Sequence, residues 1–499
     1  MRREFTAVLC AVALLLAGCQ GLGPGTDSAT PGPNATETPD EVVTPAVGEG
    51  TERSGNATER RSVRPDPATD RLGWENGYWH DDPLAVNNTD GLNESELSAV
   101  VNRSMARVEH VRGLEFDGSV PVETVSRSAY RANSSNGSYG DSLRTFDNAK
   151  FEALFLVGED RSSIETQEST LGDSVQGYYS PSRDAIVIVT NSETPRIGER
   201  TLAHELVHAL QDQRFGLDGN ASTRDAVQGR NGLVEGDART VDTLYTDRCG
   251  AEWTCVTEAT GGSGGSGGPA HYGVFYLVYF PYSDGSTFVS DLRARGGWAA
   301  VNAAYDDVPD GAREVTTAAD YPEWEPRAVT IPATPGEEWT QVRPSADRDR
   351  PDYATVGPSA IAASMGYTMG DSYNRSAAVV SPSQFYNFDG GQLDRTDPYN
   401  YDLPATRDWE GGRMQVYTNG SETGYVWRTT WSDDTAAARF ASTWERVIQH
   451  WGGSRTADGN WVVEPGSPFS DALAVHVEGD TVTVVNAPTE AELTELYDA

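Results

Sequence analysis

The sequence predicts a protein of the α+β class, on two observations. In the middle of the chain, a β-branched run at 185–190 precedes a stretch at 201–210 whose apolar residues recur at helical spacing. Toward the C-terminus, predicted strands stand on both sides of an amphipathic helix. Those strands are at 415–417, 425–431, 473–478 and 481–486, the helix covers 437–451, and a terminal helix begins at Thr489.

The chain length of 499 residues allows two or three domains. Composition divides it into four segments. We expect a signal peptide at 1–19, a disordered stalk rich in Thr, Pro and Gly at 20–70, a first folded domain at 71–332 and a smaller α+β domain at 333–499.

The charge balance is strongly acidic, with 38 basic against 75 acidic residues and a formal net charge of −37. Only one basic residue, Lys150, is a lysine. Such a surface disfavours nucleic acid and anionic lipid as partners, because both carry negative charge. The composition resembles that of haloarchaeal proteins, and concentrated salt would screen the repulsion among its carboxylates.

The N-terminus reads as an export signal. Arg2 and Arg3 precede an apolar run that is too short to span a bilayer. The run ends in Leu16-Ala17-Gly18-Cys19, which resembles a lipobox whose cysteine becomes the lipidated N-terminus. We therefore expect the mature protein on the extracellular face of the membrane, held by a lipid on Cys19 and by no other membrane segment.

Residues 201–210 contain the pattern HExxH. We expect Thr194 to cap this helix, Pro195 to lie in its first turn and Gly216 to end it. Residues four apart lie on one helix face, so His204 and His208 can bind one Zn²⁺ ion. Glu205, next to a ligand, can then act as general base toward a water on that metal.

Two histidines leave zinc one protein ligand short. A second helix is predicted from about Gly232, and it carries three acidic residues that compete for this role. They are Glu235, Asp237 and Asp242.

His204-Glu205-x-x-His208 followed by Glu235 in Leu-Val-Glu-Gly-Asp-Ala is similar to the gluzincin branch of the zincin metallopeptidases. The resemblance covers roughly residues 175–250. It implies that His204, His208 and Glu235 are metal ligands, that Glu205 is the general base, and that 71–332 is a zincin-like α+β domain with its site in a cleft. A third histidine after His208, as metzincins have, is absent from the sequence.

Three roles stay open at this point. Thermolysin-like gluzincins place an aspartate four positions after the ligand glutamate, where this chain has Arg239, so the residue that orients a ligand histidine could be Asp237, Asp242 or Asp212. Candidates for oxyanion stabilisation are Tyr178, Tyr179, Tyr245 and His271. The strand at 185–190 could be a plain core strand or could hold an extended peptide by β-addition, and the two roles are compatible.

Cys249 and Cys255 are the only cysteines after Cys19. The oxidising exterior and the short loop between them favour a disulfide over a metal site.

The function that the resemblance implies is a zinc metalloendopeptidase acting on peptides or proteins at the cell surface. The alternative is a catalytically inactive surface protein that binds a partner or organises the envelope on a zincin scaffold, because a fold does not fix a function.

The lipobox gives the first prediction. Cys19→Ser removes the thiol that would carry the lipid, so the variant should appear in the culture medium while the wild type sediments with membranes. The measurement is the distribution of the protein between medium and membrane fractions. A variant that still sediments with membranes would mean that Cys19 is not the anchor.

Overall fold

The structure is a computed structural model. It describes residues 64–135, 139–172, 175–217, 221–257, 270–332, 335–345, 351–374, 377–420 and 422–497. The predicted signal peptide with Cys19, most of the predicted stalk and the Gly-rich loop at 261–268 lie outside the described residues. No helix in the described part of the chain is long and apolar enough to cross a membrane.

Helices and strands occur in separate runs along the chain, which confirms the α+β class. The helices are α1 (Glu94–Arg112), α2 (Arg127–Ser135), α3 (Asp141–Ala153), α4 (Ser163–Gly172), α5 (Glu199–Phe215), α6 (Arg224–Arg248), α7 (Tyr272–Ala303), α8 (Ala312–Thr316), α9 (Pro358–Gly370), α10 (Pro382–Phe385), α11 (Asp434–His450) and α12 (Glu490–Leu496). The strands are β1 (Trp74–Glu75), β2 (Tyr78–Trp79), β3 (Val122–Val125), β4 (Gly177–Ser180), β5 (Ala185–Val189), β6 (Thr340–Gln341), β7 (Phe388–Asp389), β8 (Gln392–Leu393), β9 (Trp409–Thr418), β10 (Thr423–Trp431), β11 (Gly453–Arg455), β12 (Trp461–Val463), β13 (Ala472–Glu478) and β14 (Thr481–Ala487). The separate runs include α2 to α4, α5 to α8 and β7 to β10.

Backbone contacts divide the chain into two compact units, each built from separate segments. The first unit comprises residues up to 134 together with 174–214 and 244–266. Its sheet has the order β3-β5-β4, with β3 parallel and β4 antiparallel to β5. β5 is central and buried along its whole length. The strand at 185–190 is therefore a core strand, and β3 and β4 are the two edge strands beside it.

The second unit comprises 135–173, 215–243 and 267–499, so the domain boundary predicted between 332 and 333 falls inside it. Its seven-stranded antiparallel sheet has the order β11-β12-β13-β14-β10-β9-β6. Helices α11 and α12 pack on the central strands of this sheet. The α11 side chains Phe440 and Trp444 contact Trp427, whose indole lies 5.7 and 5.1 Å from their rings. Apolar burial of these large aromatic groups stabilises the packing of α11 on the sheet.

The predicted limits of two helices are corrected by the structure. α5 begins at Glu199 and not near Thr194, because the hydroxyl of Thr194 donates to the Asp90 carbonyl at 2.8 Å and the Pro195 carbonyl accepts from Leu92 at 2.9 Å. These bonds fix the preceding residues as an irregular segment. The end of α5 before Gly216 agrees with the prediction, since Gly216 has φ +75°.

The second corrected helix, α6, begins about two turns earlier than the predicted start near Gly232. Its predicted apolar face, Val234, Ala238, Val241 and Tyr245, is buried. Helix α7 contains Pro281 and continues through this proline. Burial of the surrounding helix offsets the hydrogen bond that proline cannot make.

The predicted disulfide between Cys249 and Cys255 is present just after α6. It closes a short loop that contains Trp253. The Trp253 ring is buried against Tyr245 at 5.0 Å and lies 4.6 Å from the Arg107 guanidinium. The loop is thus fixed on the last turn of α6 and on α1.

Lys150, the single lysine of the chain, lies on α3 in the second unit. Its ammonium group bonds the Asp147 carboxylate, and only 12% of the side chain is exposed. The Asp147 carboxylate also accepts from the Ser163 hydroxyl at 2.7 Å. The ion pair lies within α3, and the hydrogen bond from Ser163 joins α3 to the start of α4.

The start of α5 carries a buried carboxylate that is paired with two arginines. Glu199 bonds Arg103, and its second oxygen lies 3.0 Å from Arg107; the three side chains are at most 1% exposed. The Glu199 carboxylate also accepts the Val256 amide at 3.1 Å. The arginines donate further to the Asp82 and His80 carbonyls, so each buried charge has several partners.

We predict that Glu199→Ala lowers the free energy of unfolding by about 3–5 kcal/mol, because two guanidinium groups stay buried without their counter-charge. Chemical denaturation measures this loss. Asp117→Ala is the control, since Asp117 pairs with Arg214 on the surface with 57% of its side chain exposed. That substitution should cost less than about 1 kcal/mol. Equal effects of the two substitutions would contradict the structural role of the buried pair.

Candidate metal centre

The two histidines of the HExxH pattern lie on one face of α5. His204 and His208 are 4% and 3% exposed, and their ring centroids are 4.8 Å apart with the rings nearly perpendicular. The opposite side of α5 is held in the core by Leu202, Leu206 and Leu210, all buried. The amphipathic pattern of the helix therefore fixes the direction in which both imidazoles point.

Gln211, one turn after His208, orients that imidazole. The His208 Nδ1 atom lies 2.9 Å from the Gln211 Oε1 atom, and the glutamine is 1% exposed. An amide oxygen accepts, so the ring proton belongs on Nδ1 and the lone pair on Nε2. Sequence reasoning considered only aspartates for this role. The signal for Gln211 is its position three residues after the candidate ligand His208, on the same helix face.

The three predicted metal ligands come together in the structure. One ligand atom from each of His204, His208 and Glu235 lies within 4.8 Å of the other two, and all three residues are buried. Glu235 is on α6, which is continuous from Arg224 to Arg248. Among the three acidic residues that competed for the third position, Glu235 is the one in this group.

A close contact between α6 and α7 sets the position of Glu235. A Cβ atom added to Gly236 would lie 2.1 Å from the Gly285 carbonyl oxygen, and one added to Gly285 would lie 2.4 Å from the Gly232 carbonyl oxygen. Any side chain at these glycines would force the helices apart. The glycine after Glu235 is thus required by helix packing, which accounts for the Glu-Gly pair in the sequence.

Asp237 and Arg239 both have defined structural partners in the second unit. The Asp237 carboxylate accepts the Tyr305 hydroxyl at 2.9 Å, and the Tyr305 ring stacks on Phe215 at 4.1 Å. Arg239, which stands where thermolysin-like gluzincins have an aspartate, donates to the Arg395 carbonyl at 2.8 Å. It also lies 3.5 Å from the Asp242 carboxylate. The Arg239 bond thus ties α6 to the segment after β8, and the Asp237 bond ties it to the segment after α7.

Glu205 is buried and is oriented by the edge strand β4. Its Oε2 atom accepts the backbone N–H of Tyr179 at 2.8 Å. The Tyr179 hydroxyl lies 2.9 Å from a carboxylate oxygen of Asp212 and 2.9 Å from one of Asp184. Asp212 therefore interacts with β4.

Three of the four candidates for oxyanion stabilisation use their polar groups for other contacts. The Tyr179 hydroxyl is bonded as described above. The Tyr245 hydroxyl lies 3.4 Å from Arg107 and from Ser104, and His271 accepts the Val274 amide at the start of α7. Tyr178, the fourth candidate, packs its half-buried ring 5.8 Å from Tyr130.

A second group of three acidic residues lies in the second unit. Carboxylate oxygens of Glu152, Glu159 and Asp471 are within 4.8 Å of one another, and Glu152 and Glu159 line a cavity of about 1190 Å³. Burial raises the pKa of Glu152 well above its usual value and that of Glu159 to about 7. Raised pKa values favour the protonated carboxyls, which can hydrogen-bond one another without a cation. It also lacks the imidazole ligands that favour zinc.

The glycine contact gives a test of how Glu235 is placed. Gly236→Ala should lower the free energy of unfolding by about 1–3 kcal/mol through overpacking, and should also reduce bound zinc because Glu235 is the adjacent residue. Metal analysis after dialysis measures the second effect. Gly118→Ala, with no atom within 4 Å of the added Cβ, should change stability by less than about 0.5 kcal/mol. Full zinc content in Gly236→Ala would contradict this account.

Comparison with known proteins adds a match outside this centre. Residues 342–497 match a family model described as a domain of unknown function (DUF8575). No curated protein and no solved structure matches the chain. The matched segment contains most of the seven-stranded sheet and none of the residues of the candidate metal centre.

Proposed function

We propose that the protein is a zinc-dependent metallopeptidase that hydrolyses peptide bonds. The observation that carries this proposal is the group formed by His204, His208 and Glu235, with Glu205 oriented beside it by a backbone amide. A proposed lipid on Cys19 would hold the enzyme at the extracellular face of the membrane.

The chemistry of the donor set fits zinc. Two imidazole nitrogens and one carboxylate oxygen are the protein ligands of many catalytic zinc sites, and they leave a coordination position for water or substrate. When bound, zinc supplies a Lewis acid that polarises a carbonyl group and lowers the pKa of a water molecule. Carboxylate-only sets favour calcium or magnesium, so the two histidines distinguish this centre from the acidic cluster in the second unit.

The chain itself supplies ligand orientation and proton transfer. Gln211 holds the proton of His208 on Nδ1, which leaves the lone pair of Nε2 to bind the metal. The Tyr179 amide donates to Oε2 of Glu205 and so holds the carboxylate in one orientation. Glu205 would take a proton from the attacking water and later give it to the leaving amine. Burial of Glu205 excludes bulk water from that proton.

The substrate class follows from the reaction and the charge. A peptide or protein is the proposed substrate, and the net charge of −37 disfavours nucleic acid as a partner. Electrostatic repulsion from this acidic chain would disfavour peptides with a large negative charge. We expect activity to be measurable in molar salt, where the repulsion among surface carboxylates is screened.

The main prediction separates metal binding from catalysis. Wild-type protein should bind one zinc and cleave members of a mixed peptide library. Glu205→Gln should retain zinc but lose about 10²–10⁴ in kcat, because an amide cannot accept the proton. His204→Ala should lose zinc and activity together. The measurements are zinc content by elemental analysis and cleavage rates by mass spectrometry.

Two further variants serve as a matched pair for the third ligand. Glu235→Gln should lower zinc content sharply, whereas Asp237→Asn, two residues away, should affect it less because the Asp237 side chain bonds Tyr305. A larger loss of zinc in Asp237→Asn than in Glu235→Gln would contradict Glu235 as the third ligand and with it the gluzincin assignment. Zinc-loaded wild type that cleaves no peptide, or Glu205→Gln with wild-type rates, would favour an inactive surface protein that binds a partner on the same scaffold.

A further inference from the structure

Helix α5 contacts a single residue of β4 at two points. Glu205 and Asp212 are seven residues apart, which is close to two full turns, so they lie on the same helix face. Glu205 accepts the backbone N–H of Tyr179 at 2.8 Å, and Asp212 lies 2.9 Å from the hydroxyl of the same residue. Tyr179 is 0% exposed. The backbone N–H of Tyr179 and the hydroxyl at the end of its side chain are therefore both fixed against α5.

The register of the sheet explains why the Tyr179 amide is available to Glu205. The Val189 amide donates to the Gln176 carbonyl at 2.8 Å, so Gln176 is in the hydrogen-bonded register with β5. Hydrogen-bonded and non-hydrogen-bonded positions alternate along an antiparallel pair. Tyr179, three residues after Gln176 and opposite Ile186, is therefore at a non-hydrogen-bonded position and directs its backbone N–H away from β5. The edge N–H bonds the Glu205 carboxylate instead of a neighbouring strand.

The Tyr179 hydroxyl also joins α5 to the turn between β4 and β5. Asp184, at the end of that turn, has φ +49° and a carboxylate oxygen 2.9 Å from the hydroxyl. A phenol has one hydrogen, so Asp184 and Asp212 share it as acceptors. The turn, the strand and the helix are therefore linked through one side chain.

We infer that Tyr179 is a positioning residue for Glu205: its hydroxyl fixes β4 on α5, and its backbone amide then holds the Glu205 carboxylate in one orientation. This inference rests on the proposed peptidase function for its kinetic consequence. A general base has to lie within hydrogen-bond reach of the proton it removes, and small displacements reduce the rate strongly. Tyr179 acts through Glu205 and does not touch the substrate.

The kinetic test uses Tyr179→Phe, which removes only the hydroxyl. We expect kcat to fall about 10-fold while KM and zinc content stay unchanged, because the base is displaced and the ligands are not. In a Glu205→Gln background the same substitution should cause no further loss. The matched control is Tyr417→Phe, which removes another buried hydroxyl, bonded to Gln415 at 2.9 Å, and should leave kcat unchanged.

A second variant covers the case in which Tyr179→Phe does not fold. Asp212→Ala removes the acceptor on α5 and leaves the Asp184 bond of the hydroxyl in place. It should reduce kcat at least about threefold with unchanged zinc content, by the same displacement of the base. Wild-type kcat in either variant, or a loss that is additive with Glu205→Gln, would overturn the inference.

Amide hydrogen exchange provides a readout that does not need activity. In Tyr179→Phe and in Asp212→Ala the amide of residue 179 should exchange about 10-fold faster than in wild type, because its bond to Glu205 is loosened. The amide of Tyr178, which faces β5, is the internal control. If wild-type protein cleaves no peptide, the proposed peptidase function is wrong and the positioning role of Tyr179 is unaffected. If the amide of residue 179 exchanges at the wild-type rate in both variants, the positioning role is wrong and the proposed function is unaffected.

Discussion

The buried pairing of Glu199 with Arg103 and Arg107 is the interaction on which the candidate centre depends. It places a carboxylate in the first turn of α5, where the partial positive charge of the helix N-terminus adds to its stabilisation. Because both arginines are on α1, the first turn of α5 is fixed to that helix. His204 and Glu205 follow within two turns, so the contact at Glu199 fixes the part of the helix from which both side chains project.

The two helices of the centre are held by different forces. α5 is positioned by charge pairs and hydrogen bonds, at Glu199 and at Tyr179. α6 is positioned by close packing on α7, because the backbones at Gly236 and Gly285 approach too closely to leave room for a side chain. Charge pairs fix direction, and backbone contact fixes distance. The helices that carry the candidate ligands are thus constrained in two different ways, one by polar contacts and one by close backbone packing.

Residues with a local signal could be predicted from the sequence. The HExxH spacing identified one helix face, and the apolar faces of α6 and α11 agreed with burial in the structure. The start of α5 could not be predicted, since it depends on the bond between Thr194 and the distant Asp90. The edge position of β4 could not be predicted for a similar reason. Residues 185–190 have the stronger strand pattern, whereas the position of β4 depends on the pairing order of the strands, which no single segment of the sequence determines.

The burial of Lys150 has a consequence for how the molecule can be handled. As the only lysine in the sequence, with its ammonium group bonded to Asp147, it leaves arginine as the only strongly basic side chain elsewhere in the chain. Reagents that acylate lysine, including most cross-linkers and fluorescent labels, need an accessible and uncharged amine. They would therefore find almost no side-chain target on this protein. Attachment or distance measurements should instead be directed at carboxylates, which the chain has in large excess.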